Sequence, residues 1–166
     1  MSIPVSDPGR IRVLVTGSRE WVDEATTYRA LVALLARCTV ADVHTVTVVH
    51  GAARGADRLA GRFASTMGLT EEAHPANWAE YGKKAGYVRN MDMLIAGRPD
   101  FAVAFKADFD PTLSHGGTEN MVKLLLDAEI PTWVCTGPSS LRRFLSRLSP
   151  SSLPLDLSDA LASDCL

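Results

Sequence analysis

Val46-Thr47-Val48-Val49-His50-Gly51-Ala52-Ala53-Arg54-Gly55-Ala56-Asp57 is the stretch that decides how this chain folds. It opens as an apolar run of mostly β-branched residues, passes through a turn of small residues, and leads into a helical pattern from Arg58 to Met67. Glycine lets a backbone bend tightly, and a new helix presents unpaired N–H groups, so a strand-turn-helix junction of this kind is where α/β proteins build ligand sites. Two further junctions carry related chemistry: Thr16-Gly17-Ser18-Arg19 earlier and Gly116-Gly117-Thr118-Glu119 later. Three such turns on one side of one sheet predict a binding site there.

Working outward, Ile11–Val15, Thr45–Val49 and Phe101–Phe105 are apolar throughout rather than alternating, the pattern of parallel strands buried on both faces. Glu71–His74 reads as a short edge strand and Thr132–Cys135 as a fifth strand. Helices are expected over Asp23–Arg37, where Leu31, Leu34 and Leu35 form a stripe, and over Ala56–Met67, which Gly68 stops. Two more are expected over Lys84–Ala96 and Thr118–Ala128, with Pro75-Ala76-Asn77-Trp78 and Lys106–Gly116 as loops. The alternation predicts a single Rossmann-like three-layer α/β domain with a mostly parallel five-stranded sheet in the order 3-2-1-4-5. In that order the first and fourth strands meet where the winding reverses, and ligands bind in the crevice beyond their carboxyl ends. Residues 1–10 read as a flexible lead-in and 11–136 as the domain. Residues 137–166 read as a Ser/Leu/Pro-rich tail with a short helix on Leu141, Leu145 and Leu148.

The 166 residues suit one domain, and 46% apolar with 22% charged residues is the balance of a soluble globular protein. A net charge of −2 disfavours the phosphate backbone of nucleic acid as a partner. No apolar run approaches membrane-spanning length, and the N-terminus lacks a signal-peptide pattern, so no membrane is expected. Three scattered cysteines (Cys38, Cys135 and Cys165) fit neither a zinc spacing nor a disulfide framework, which suits a reducing cytoplasm.

The three turns are suited to an anion. Gly116-Gly117-Thr118 offers close backbone approach and a helix N-terminus, and Thr16-Gly17-Ser18 offers a second set of donors. Arg19, Arg54, Lys83 and Arg89 stand in or near these loops, and arginine grips phosphate with two N–H groups. The G-x-G-x-x-G dinucleotide fingerprint and the phosphate loop of ATPases are both absent, so nicotinamide oxidoreduction and P-loop hydrolysis are disfavoured and no cofactor is expected. His50, His74 and His115 fall near strand ends, but their spacings match no metal motif, and no metal is expected.

V-T-G-S-R-E-W, H-G-A-A-R-G-A-D, P-A-N-W-x-x-Y-G-K-K-A-G-x-x-R-N-x-x-M and G-G-T-E-N-M-V occur in that order. Together they resemble the SLOG superfamily, the Rossmann-like group that contains DprA and the LOG cytokinin-activating enzymes, and within it the YspA/YpsA-related branch of bacteria and their phages. The resemblance covers about Ile11 to Cys135. It implies a site for a nucleotide-derived ligand, a nucleoside phosphate or an ADP-ribose-like molecule, and assembly into a homo-oligomer. By motif match it carries Gly17, Ser18, Arg19, Gly51, Gly55 and Asp57 into that site. Asn77, Trp78, Gly82, Lys83, Gly86, Arg89, Asn90, Gly116, Gly117 and Thr118 follow in the same way. Asp57 has two readings, as ligand contact or as cap of the second helix. Trp78 also has two, as a stacking surface for a base or as a plug at the sheet edge.

One departure bears on chemistry. LOG enzymes resemble P-G-G-x-G-T-x-x-E, with a glutamate three residues after the threonine that serves N-glycosidic hydrolysis together with an arginine. Here Met121 holds that place and Glu119 stands two residues early, about 200° around the helix. The first expectation is therefore a cytoplasmic binding or sensing module for a nucleotide-derived ligand. The second is an N-glycosidic (phosphoribo)hydrolase with Glu119 and Arg89 as catalytic residues. The third is a DprA-like accessory protein of DNA processing. Whether the chain is an enzyme stays open at this level.

Overall fold

The computed structural model describes residues 9–36, 38, 45–113 and 116–147, with side chains given as far as Arg142. Five strands form one sheet: β1 (Ile11–Gly17), β2 (Val46–His50), β3 (Thr70–Ala73), β4 (Phe101–Phe105) and β5 (Thr132–Cys135). Their order is β3-β2-β1-β4-β5, as the alternating pattern predicts, and every pairing is parallel. In β1, β2 and β4 successive side chains are buried on opposite faces, which is why these strands carry no polar alternation.

The crossovers wind in one direction and then the other. α1 (Glu24–Leu35), α2 (Ala56–Met67) and α6 (Pro138–Arg147) contribute to one core, where Leu31, Leu34, Phe63 and Leu141 pack on Val13, Val15 and Phe101. α4 (Ala85–Ile95) and α5 (Gly117–Asp127) cover the other face, where Met93, Met121 and Leu125 pack on Leu14, Val49 and Ala102. The direction reverses between β1 and β4, at the centre of the sheet.

Several element ends differ from expectation for identifiable reasons. Asp23 lies outside α1 as its N-cap, accepting from the Thr26 N–H at 2.9 Å. Arg37, the expected end of that helix, lies outside the described residues. Trp78 is in a short helix, α3 (Trp78–Tyr81), rather than a loop. Asn77 caps it through a bond from the Glu80 N–H, and four residues are too few to leave a periodic apolar signal. A 3₁₀ turn at Gly82–Lys84 joins it to α4. Leu141 is buried in the chain's own core, while Leu148 lies outside the described residues. Among the described residues no helix is long and apolar enough to cross a membrane.

Candidate functional site

The turn after β1 is fixed from two sides. A Cβ on Gly17 would stand 2.3 Å from the Phe105 carbonyl oxygen and 2.6 Å from Ala56 Cβ, so only glycine fits between β4 and α2. The Ser18 N–H donates to the Phe105 carbonyl at 2.8 Å, and the Ser18 carbonyl accepts from Ala56 N at 3.2 Å. Ser18 thus clamps the starting point of α2, and its hydroxyl accepts from the Glu20 N–H.

The turn after β2 consumes its own donors. Buried His50 accepts the Ala52 N–H on Nδ1 at 3.1 Å. The ring proton therefore sits on Nε2, which donates to Glu71 Oε1 at 2.8 Å. Ala52 adopts a left-handed φ of 56°, which this bond helps to hold. The Ala53 N–H donates to Asp57 Oδ2 at 3.3 Å. Asp57, first-turn residue of α2 and 4% exposed, thus secures the loop; the cap position of α2 is held by Gly55, and no side chain caps that helix.

Arg89 braces this turn from α4. Its Nη1 donates to the Gly51 carbonyl at 2.5 Å and reaches Asp57 Oδ2 at 3.4 Å, while Nε donates to Asn90 Oδ1 at 3.1 Å. A Cβ on Gly51 would fall 1.6 Å from Arg89 Nη1, so Gly51 is glycine to admit the guanidinium. Burial pushes the Asp57 carboxyl above its ordinary value, against the pull of Arg89. Burial likewise lowers Arg89, against the attraction of Asp57.

Between these pieces opens a cleft of about 440 Å³, lined by Arg19, Gly51, Ala52, Ala53, Arg54, Pro75, Ala76, Trp78 and Arg89. The Arg19 guanidinium lies over the Trp78 ring, 5.5 Å from its centroid, and Trp78 is 51% exposed. Arg54 pairs with Glu20 at the rim. An arginine-lined cleft walled by one indole face can take an anionic group together with a flat ring.

The cleft lies beyond the ends of β1, β2 and β3, to one side of the β1/β4 crevice. Of the sequence-nominated residues it gathers Arg19, Gly51, Arg54, Trp78 and Arg89. Asn77 caps α3, and Lys83 is exposed on the 3₁₀ turn. Asn90, 1% exposed, donates to the Gly117 carbonyl and to Asn120 Oδ1, both at 2.9 Å, and so fastens α4 to the start of α5. Gly116, Gly117 and Thr118 open α5, and none of them lines the cleft. Glu119 is buried and paired with Lys106, Nζ to Oε1 2.5 Å. Met121 is fully buried in the second core. His115 lies outside the described residues. His74 pairs with Glu72, and no cluster of metal-ligating side chains occurs among the described residues.

Sequence reasoning passed over Pro75 and Ala76, which line the cleft, and Lys106, the partner of Glu119. The loop after a third parallel strand opens on the same side of the sheet as the other turns, and that topological fact was the available signal for Pro75 and Ala76. Lys106 carried none.

The profile of the YspA, cpYpsA-related SLOG family matches residues 11–81. The chain is also 41% identical to the Gene 61 protein of Mycobacterium phage D29 over 125 residues, covering 72% of this chain and 92% of that protein. This chain belongs to the YspA, cpYpsA-related SLOG family. Among solved structures, this SLOG protein is similar to DNA processing protein A (DprA) from Streptococcus pneumoniae, at 14% identity and a TM-score of 0.43. That match covers 81% of the SLOG chain, which spans 61% of the DprA chain.

Proposed function

We propose that this SLOG protein binds a nucleotide-derived ligand, a nucleoside phosphate or an ADP-ribose-like molecule, in the arginine-lined cleft and acts as a binding or sensing module. The observation that carries the reading is the pairing of Arg19 with the exposed face of Trp78 inside one cleft. A phosphate suits the guanidinium and a base or ribose suits the indole face. Glu119 supports binding over hydrolysis. Its carboxylate is buried against Lys106 and lies outside the cleft lining, whereas N-glycosidic cleavage requires a carboxylate beside the ribose.

The test is a thermal-shift panel of AMP, GMP, CMP and ADP-ribose on the wild type, Arg19→Ala and Trp78→Ala. A ligand that binds only the folded state raises Tm by mass action. Loss of one arginine–phosphate contact should cost about 1.5–3 kcal/mol, roughly 10- to 150-fold in affinity. If no compound shifts the wild type, or if both variants respond as it does, the reading fails. Chromatography after long incubation should show no base released from AMP.

We extend the reading to a homo-oligomer. Tyr87, Met91 and Ile95, all exposed, recur four residues apart along α4 and present an apolar ridge. A monomer by light scattering at micromolar concentration would end this part of the reading.

A further inference from the structure

We propose that Glu119 bars phosphate from the Gly116-Gly117-Thr118 turn, so that the phosphate of a bound ligand lies on Arg19 in the cleft. The second half rests on the ligand reading above; the first stands on α5 alone. An 11-residue helix entered through two glycines ordinarily draws an anion to its first turn, where N–H groups are unpaired and the dipole is positive. In this chain that turn already holds an anion of its own.

Glu119 is the third residue of α5, and its side chain is 2% exposed. Its Oε2 would stand 2.3 Å from a Cβ on Gly116, so Gly116 is glycine because a carboxylate lies against it, leaving that space to the protein itself. This buried oxygen has no hydrogen-bond partner among the described residues. The other oxygen is held by Lys106 at 2.5 Å, and the charge of that lysine is thereby spent. A phosphate arriving at the first turn meets a like charge in a desolvated place, and the cation paired with that charge among the described residues is Lys106.

The cleft offers the opposite. Arg89 is committed to Gly51 and Asp57, and Arg54 to Glu20. Arg19 makes no ion pair with any described residue and rests only on the Trp78 ring. It is the one cleft arginine whose charge is unspent among the described residues. Phosphate therefore selects Arg19, and Glu119 sets that choice by closing the alternative.

The experiment is an amide chemical-shift titration with inorganic phosphate and, separately, AMP, on the wild type, Arg19→Ala, Glu119→Gln and, should the glutamine variant fold poorly, Glu119→Ala. In the wild type, amides at Arg19 and Ala52 to Arg54 should respond while Gly117 and Thr118 stay still, and Arg19→Ala should weaken the response at least ~10-fold. In Glu119→Gln the turn amides should begin to respond to inorganic phosphate as a second, independent site. Wild-type shifts at Gly117 and Thr118, or a folded Glu119 variant whose turn stays silent, would overturn the proposal. If the wild-type cleft stays silent to both probes, the ligand reading falls instead. A Glu119 variant that gains phosphate at Gly117 would still bear out the exclusion.

Discussion

Replacing Arg89 by alanine should cost far more stability than an ordinary surface arginine. Its guanidinium side chain is 12% exposed and that of its partner Asp57 is 5% exposed. Truncation takes the Arg89 donor from the Gly51 carbonyl and Asn90 Oδ1, and leaves Asp57 Oδ2 with the Ala53 N–H but without its cation. Removing one member of a buried charge pair costs about 3–5 kcal/mol, chiefly because the other stays buried and uncompensated. With a urea slope of about 2 kcal/mol/M, the unfolding midpoint should fall by roughly 1.5–2.5 M. The penalty should also depend on pH. The folded-state pKa of Asp57 is raised above 3.8, so between the two values the folded protein binds more protons than the unfolded chain, and stability falls as pH rises through that window. Without Arg89 the opposing attraction is gone, the folded pKa climbs further, and the window widens upward. Arg89→Ala should therefore lose more at about pH 7 than at about pH 4.5. Adding Asp57→Asn should restore part of the loss, with a coupling of about 0.5–3 kcal/mol in the double-mutant cycle. Urea unfolding at the two pH values measures all of this. A loss below about 1 kcal/mol at neutral pH, or one that ignores pH, would refute the bracing role.

Gly51→Ala forces Arg89 off the Gly51 carbonyl and should destabilise by about 1–3 kcal/mol, seen as a Tm lower by several degrees; an unchanged Tm would mean that the close approach is unnecessary. Met121→Glu, which restores the glutamate of the LOG pattern, should unfold the chain rather than confer hydrolysis, because Met121 is fully buried among apolar side chains. Near-native circular dichroism for that variant, together with base release from AMP, would contradict this. Burial raises the Glu72 carboxyl, but hydrogen bonds from Arg12 and His74 outweigh it and hold the group below 4.5. Its stabilisation is present above the unfolded value and is lost as pH falls through the folded one. Glu72→Gln should accordingly flatten the decline of Tm below about pH 4.5, and an unaltered acid limb would count against it.

The sheet was legible from sequence because burial on two faces leaves runs that are apolar but for Arg12 and Thr47 at Ile11–Val15, Val46–Val49 and Phe101–Phe105, which mark parallel strands without any knowledge of their neighbours. Gly17, Gly51 and Gly55 marked the right turns, since a tight bend or close approach leaves a residue that can be read directly. Which body each glycine makes room for was decided only in three dimensions. Gly51 admits Arg89 from a helix 38 residues later, and Gly116 admits its own chain's Glu119. A nominated binding residue such as Asn90 looks the same in sequence whether it faces a ligand or, as here, ties two helices together. Charge has the same ambiguity: Arg19 and Arg89 are identical letters, yet one rests unpaired by any described carboxylate on an indole and the other is spent on Asp57. Residue type and spacing are local and fix the strand-turn-helix grammar, while the partner of each polar group is set by long-range packing, which only the assembled sheet and its helices determine.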